Sequence, residues 1–191
     1  MISKRFTIAC TCICVTLAVI TGCTDSKETV LLNPSTNVTD NVVYPLDAGK
    51  DSVLNLLQNI PNIDWHAYNK SSDGKSLDTI EFLYNNITLI TPEYYSNLFL
   101  ATKGLDGASS ESYSAIVGEL YQKDRNTVVE TLATMEDQAQ QQSVISFIAY
   151  NLGYLDVAQV KEDISTWKSS GELSSDEKVV LTDLLAALDN P

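Results

Sequence analysis

From Lys50 onward, apolar positions recur at helical spacing through most of the chain. Val53, Leu56, Leu57 and Ile60 fall at i, i+3, i+4 and i+7, the period of an amphipathic helix, and Pro61 stops that helix. A polar stretch over residues 62–75 reads as a loop. Ile80, Leu83, Tyr84 and Ile87 repeat the period. Thr91 then stands where an N-cap belongs, with Pro92 at the first helical position, where its missing N–H costs nothing. Tyr95, Leu98, Phe99 and Thr102 make the inner stripe of that helix, and Gly104 suits a left-handed position after its end.

Five more helices follow. Ser109 or Ser110 caps one whose stripe is Tyr113, Ile116, Val117, Leu120 and Tyr121. Asp124 caps another, with Val128, Leu132 and Met135 inside. Residues 137–155 start with a Gln-rich turn and then read as apolar on nearly all sides, the signature of a central helix. Asp156 and Gln159 make a capping-box-like start for the helix of Val160, Ile164 and Trp167, which ends near Gly171. Ser174 and Glu177 make a full capping box for the last helix, with Leu181, Leu184, Leu185 and Leu188 inside. The expected fold class is therefore all-α, with about eight helices as antiparallel hairpins. Residues 79–105, 128–155 and 160–188 each read as helix, short polar link, longer helix. These pairs resemble HEAT-like helical hairpins, but their starts are unevenly spaced. An irregular bundle and a short HEAT-like helical array both remain open.

The N-terminal region has a different pattern. Lys4 and Arg5 are followed by a charge-free run from Phe6 to Ile20 and then Thr21-Gly22-Cys23. At about 15 residues the run is short of the ~20 that span a bilayer, so it reads as a signal-peptide core. Basic start, apolar run and small residues before a cysteine resemble the signal peptide and lipobox of a bacterial lipoprotein. The resemblance implies cleavage before Cys23 and lipidation of Cys23. Two or three acyl chains would then hold the protein stably to the cell membrane or outer membrane, facing out of the cytoplasm. The division expected is a signal peptide over 1–22, a lipidated N-terminus and tether over 23–49, and a helical domain over 50–191. The tether is rich in Thr, Asn, Ser and Asp and carries Pro34 and Pro45. As a flexible chain of ~26 residues it would reach roughly 25–30 Å.

Cysteine usage narrows the chemistry. All four cysteines lie within the first 23 residues: 10, 12 and 14 in the leader and 23 at the expected lipid site. The domain itself has no disulfide, thiolate metal site or cysteine nucleophile. The formal net charge of −13 grows by two on loss of the leader, which carries Lys4 and Arg5 and no acid. Such a surface repels nucleic acid and anionic headgroups; it reads first as solubility next to a membrane and second as attraction of a basic partner.

Candidate chemistry is sparse. His66 is the sole histidine and lies near Asp64, but there is no Gly-x-Ser-x-Gly to complete a hydrolase constellation. Asn69-Lys70-Ser71-Ser72-Asp73-Gly74 begins like a calcium loop, yet its ninth and twelfth positions are Leu77 and Ile80, where an EF-hand has an oxygen donor and a bidentate Glu. No phosphate-binding motif appears. The expectation is a non-enzyme with no cofactor, no metal and no nucleic-acid partner. It would act as a membrane-anchored module binding a protein or peptide. The alternative is a small envelope hydrolase or carbohydrate-binding protein using the Trp65–Tyr68 loop. Adjacent aromatics cannot all face one core, which makes Trp65, His66, Tyr68, Tyr94 and Tyr95 the candidate ligand patch. Tyr84, Tyr113, Tyr121, Tyr150 and Tyr154 fall on or beside apolar stripes and read as helix filling.

Overall fold

The computed structural model describes residues 49–71 and 75–190. The leader, Cys23 and the tether up to residue 48 lie outside the described residues, as does the middle of the calcium-like loop, residues 72–74. The described residues form nine α-helices joined by turns and short 3₁₀ segments, with no strand among them. These are α1 (Lys50–Asn59), α2 (Trp65–Ser71), α3 (Ser76–Asn85), α4 (Tyr95–Phe99) and α5 (Gly107–Lys123). They continue with α6 (Arg125–Ala133), α7 (Gln138–Leu152), α8 (Val157–Lys168) and α9 (Ser175–Ala187).

Five of the nine described helices start on a side-chain cap. Asp124 Oδ1 accepts from Thr127 N–H at the start of α6, and Asp137 Oδ1 accepts from Ala139 and Gln140 N–H at the start of α7. These bonds satisfy donors that a helix N-terminus leaves unpaired. Ser174 and Glu177 form the reciprocal capping box at α9, with N···O distances of 3.2 and 2.7 Å. At α8 the box is half made: Asp156 Oδ1 accepts from Gln159 N–H, but the Gln159 side chain turns forward and donates to Asp163. Helix α5 departs from expectation. It starts at Gly107 after Asp106, with no side-chain cap, and Ser109 is buried inside the first turn, hydrogen-bonded to Ser76 at 3.1 Å.

Two other segments are corrected by the structure. The expected loop over 62–75 contains α2, started by Asp64, whose Oδ1 accepts from Ala67 N–H at 3.0 Å. The expected helix after Thr91 is broken. A 3₁₀ turn, Pro92–Tyr94, leads into the five-residue α4, and a second, Leu100–Thr102, ends it. Three-residue 3₁₀ turns can rotate the chain within one apolar stripe, so Tyr95, Leu98, Phe99 and Ala101 still face inward. Gly104 has the expected left-handed φ of 91° and sits against the backbone of His66.

The helices pack as a bundle. Alternate helices α3, α5, α7 and α9 contact one another in succession, as stacked hairpins do. Helix α9 also packs on α6, and α4 packs on α1, α6 and α7. A linear array, in which each repeat touches only its neighbours, lacks such ties. Helix α7 is central, lying against α4, α5 and α9. It is not apolar all round. Its buried residues, Gln141, Val144, Ile145, Ile148, Ala149 and Leu152, trace a single stripe; Phe147 is half-buried, and Ser146 and Tyr150 are exposed. Opposite that helix, Gly118 of α5 is buried, and a Cβ there would overlap the Asn151 side chain. The two helices meet with no room for a side chain at that point.

Candidate functional site

The aromatic patch expected from sequence is mostly interior. Trp65, Tyr68 and Tyr95 are 1–2% exposed. Trp65 and Tyr68 meet edge to face at 6.0 Å, and the Tyr68 hydroxyl pairs with Thr79 Oγ1 at 3.0 Å. Tyr95 stacks on Phe99. These three rings fill the core and offer no face to a ligand. Tyr94 is half-buried, its hydroxyl accepting from Gln58 at 3.4 Å. His66 is exposed, and the Asp64 carboxylate nearby is engaged by the backbone of α2. The structure therefore does not assemble the five residues into one surface. Asn69 Oδ1, the first donor of the calcium-like loop, accepts from Ser76. Among the described residues no group of three or more His, Cys, Asp or Glu side chains is placed to hold a metal ion.

The exposed rings lie elsewhere. Tyr150 is 37% exposed, Tyr154 74% and Leu155 46%, all at the end of α7 and the turn after it. Tyr154 donates a hydrogen bond to the Tyr150 hydroxyl at 2.7 Å, and the rings meet edge to face at 5.4 Å. The Tyr150 phenol is pushed up from its ordinary range by its Tyr154 neighbour first, with Glu111 across on α5 adding to it. Tyr84 on α3 is also exposed; its hydroxyl donates to Glu119 on α5 at 2.9 Å, and the bond raises its pKa. The sequence did carry a signal for Tyr150: it lies outside the strict stripe 141-144-145-148-149-152.

Two hollows run along α5, one against α3 and the other against the 3₁₀ turn Ile87–Leu89 that follows it. One, of about 470 Å³, is lined by Glu81, Tyr84, Asn85, Glu111, Ser112 and Ala115. The other, of about 430 Å³, is lined by Ile87, Thr88, Glu119, Leu120, Gln122 and Lys123. The Tyr84–Glu119 hydrogen bond joins one lining to the other. A third groove, of about 530 Å³, lies between the start of α6 and the end of α8. There the Arg125 guanidinium stacks over Trp167 at 4.4 Å, beside Asp163 and Glu172. Near both Arg125 and Asp163, the buried Tyr121 hydroxyl has no hydrogen-bond partner among the described residues. Burial pushes its pKa up to about 12; Arg125 opposes that and Asp163 adds to it. Arg125 covers one face of the indole, so this groove offers mixed charge and little open ring surface.

No described helix is long and apolar enough to cross a membrane. No family model, curated protein or solved structure matches the chain.

Proposed function

We propose that this chain is a lipid-anchored, extracytoplasmic binding module that holds a protein or peptide partner on the tyrosine-bearing surface of α5, α7 and their neighbours, without catalysis. The anchor reading rests on the lipobox ending in Cys23. The observation that carries the binding reading is the exposed Tyr150–Tyr154 pair with Leu155 beside it. Tyrosine combines a large ring with a polar tip and few rotatable bonds, and it is enriched where proteins meet. Exposed rings held edge to face by a hydrogen bond are already ordered, so little side-chain entropy is lost on docking. The alternative, a hydrolase or sugar binder built on residues 65–68, loses its platform because Trp65 and Tyr68 are in the core.

Site-specific photo-crosslinking tests the reading. A crosslinking residue at 154, in full-length protein within the producing cell's membranes, should give a discrete protein adduct. The same residue at position 130, on the exposed side of α6, should give none. Equal labelling at both positions, or none at 154, overturns the binding surface. Replacing Cys23 with Ser should abolish acyl labelling and release the protein from the membrane or leave the precursor uncut. Normal labelling of that variant overturns the anchor.

A further inference from the structure

We infer that the α3–α5 seam takes a basic segment of the partner protein, laid extended along α5 with a lysine or arginine at the Glu81–Glu111 end and an apolar residue at the Ile87–Leu120 end. The inference rests on the protein-binding reading above and names the chemistry of the partner. The charged residues lining the first hollow are Glu81 and Glu111, both acidic and exposed. The ring of Tyr84 lines the same hollow, so an ammonium or guanidinium group there would meet two carboxylates and an aromatic face. Tyr150, which feels the charge of Glu111, extends the aromatic surface toward the pair at 150 and 154.

The second hollow has a different character. Ile87, partly exposed, gives it apolar lining above the fully buried Leu120, and Lys123 supplies a cation at its far end. Sign and polarity therefore change along the seam, which sets a direction for the bound segment. From Glu111 to Leu120 the helix rises by about 14 Å, at about 1.5 Å per residue. An extended chain covers that distance in about four residues. The fitting segment carries its basic and apolar residues about four positions apart. Across the whole chain the formal charge of −13 favours a basic occupant and opposes a second copy of the same protein.

Fluorescence anisotropy with the full-length protein in detergent tests this. The probe is a labelled synthetic decapeptide with one lysine and one leucine four positions apart in a Gly-Ser background. Its counterpart has glutamate for lysine. The lysine peptide should bind and the glutamate peptide should not, and affinity should fall about tenfold between about 50 and about 300 mM salt, as exposed charge pairs are screened. The double variant Glu81→Lys/Glu111→Lys should weaken binding about tenfold or more, whereas Glu130→Lys/Asp176→Lys, an equal charge change on α6 and α9, should weaken it less than about twofold. All four side chains are exposed or lie at the surface, so thermal melts should match wild type. Equal weakening by both doubles means diffuse acidity and overturns the seam. Absence of peptide binding overturns it too, as does concentration-dependent self-association abolished by Glu81→Lys/Glu111→Lys. If the seam fails while the adduct at 154 persists, the protein-binding reading stands without it; if both fail, both fall.

Discussion

Two buried tyrosines show how much a single hydroxyl depends on its partner. The Tyr113 hydroxyl donates to the Leu98 carbonyl at 3.0 Å, while that of Tyr121 has no partner among the described residues. Tyr113→Phe should therefore lower stability by about 1 kcal/mol, the net value of a typical hydrogen bond, and Tyr121→Phe should be neutral or slightly stabilising. Urea unfolding at pH 7 checks both; a larger loss in Tyr121→Phe overturns the assignment. Burial raises the pKa of each, that of Tyr121 to about 12. An elevated folded-state pKa means that the native state favours the neutral phenol. Its contribution is intact below the ordinary value of about 10, where the unfolded tyrosine starts to ionise, and is lost as pH rises from there toward about 12. Stability should thus be flat in this respect to about pH 10 and then fall, with Tyr121→Phe removing part of the fall. The urea midpoint followed from pH 8 to 11 reads this out, and identical slopes for variant and wild type contradict it. At this scale the sequence was a poor guide to exposure. Trp65, Tyr68 and Tyr95, expected at the surface, are buried, while Tyr84, Tyr150 and Tyr154, expected to fill helix faces, are exposed.

Helix starts and one close crossing govern the elements. Asp137 accepts two backbone N–H groups at α7, whereas Asp106 precedes α5 without a side-chain cap. Asp137→Ala should cost about 1 kcal/mol, and Asp106→Ala less than about 0.5 kcal/mol. Denaturant melts compare the pair, and equal losses contradict the capping assignment. At the α5–α7 crossing, Gly118→Ala sets a helix-propensity gain of about 1 kcal/mol against a steric overlap with Asn151. Because the overlap includes the Asn151 Cβ and not just its tip, repacking should dominate, with a net loss of about 1–3 kcal/mol. Asn151→Gly in the same chain should recover most of that loss in a double-mutant cycle. Additive losses would mean that the two residues do not meet. The Asp124, Asp156 and Ser174 starts were legible because each pairs a capping side chain with a donor two or three residues on. Helix α2 was passed over, although Asp64 before Trp65 and Tyr68 carries the same kind of signal. The break around α4 had none, because 3₁₀ and α turns share one apolar stripe over so few residues.

Among the described residues the helices share one continuous core, and unbalanced charge opposes the stability it gives. The Ile148 side chain is fully buried on central α7, whereas Tyr154 is 74% exposed. Ile148→Ala should cost about 2–5 kcal/mol and Tyr154→Ala less than about 0.5 kcal/mol, so the second can be used in binding work on folded protein. Among the described residues the one salt bridge is Lys161–Asp189, at the surface. With 25 acids against 12 bases, self-repulsion should dominate the electrostatics. Screening it should raise the melting temperature by a few degrees as salt goes from about 10 to about 150 mM. A melting temperature that falls with added salt would contradict this. The all-α class, most helix starts and the positions of Gly104, Asp124 and Ser174 were readable in one dimension, because period, capping and left-handed turns depend on residues a few positions apart. The choice of bundle over array was not, because it turns on contacts such as α6 with α9, far apart in the chain. Nor was the tyrosine surface: a helical stripe fixes direction, but only the packing of α3, α5 and α7 decides how wide a stripe is covered and which rings are left to solvent.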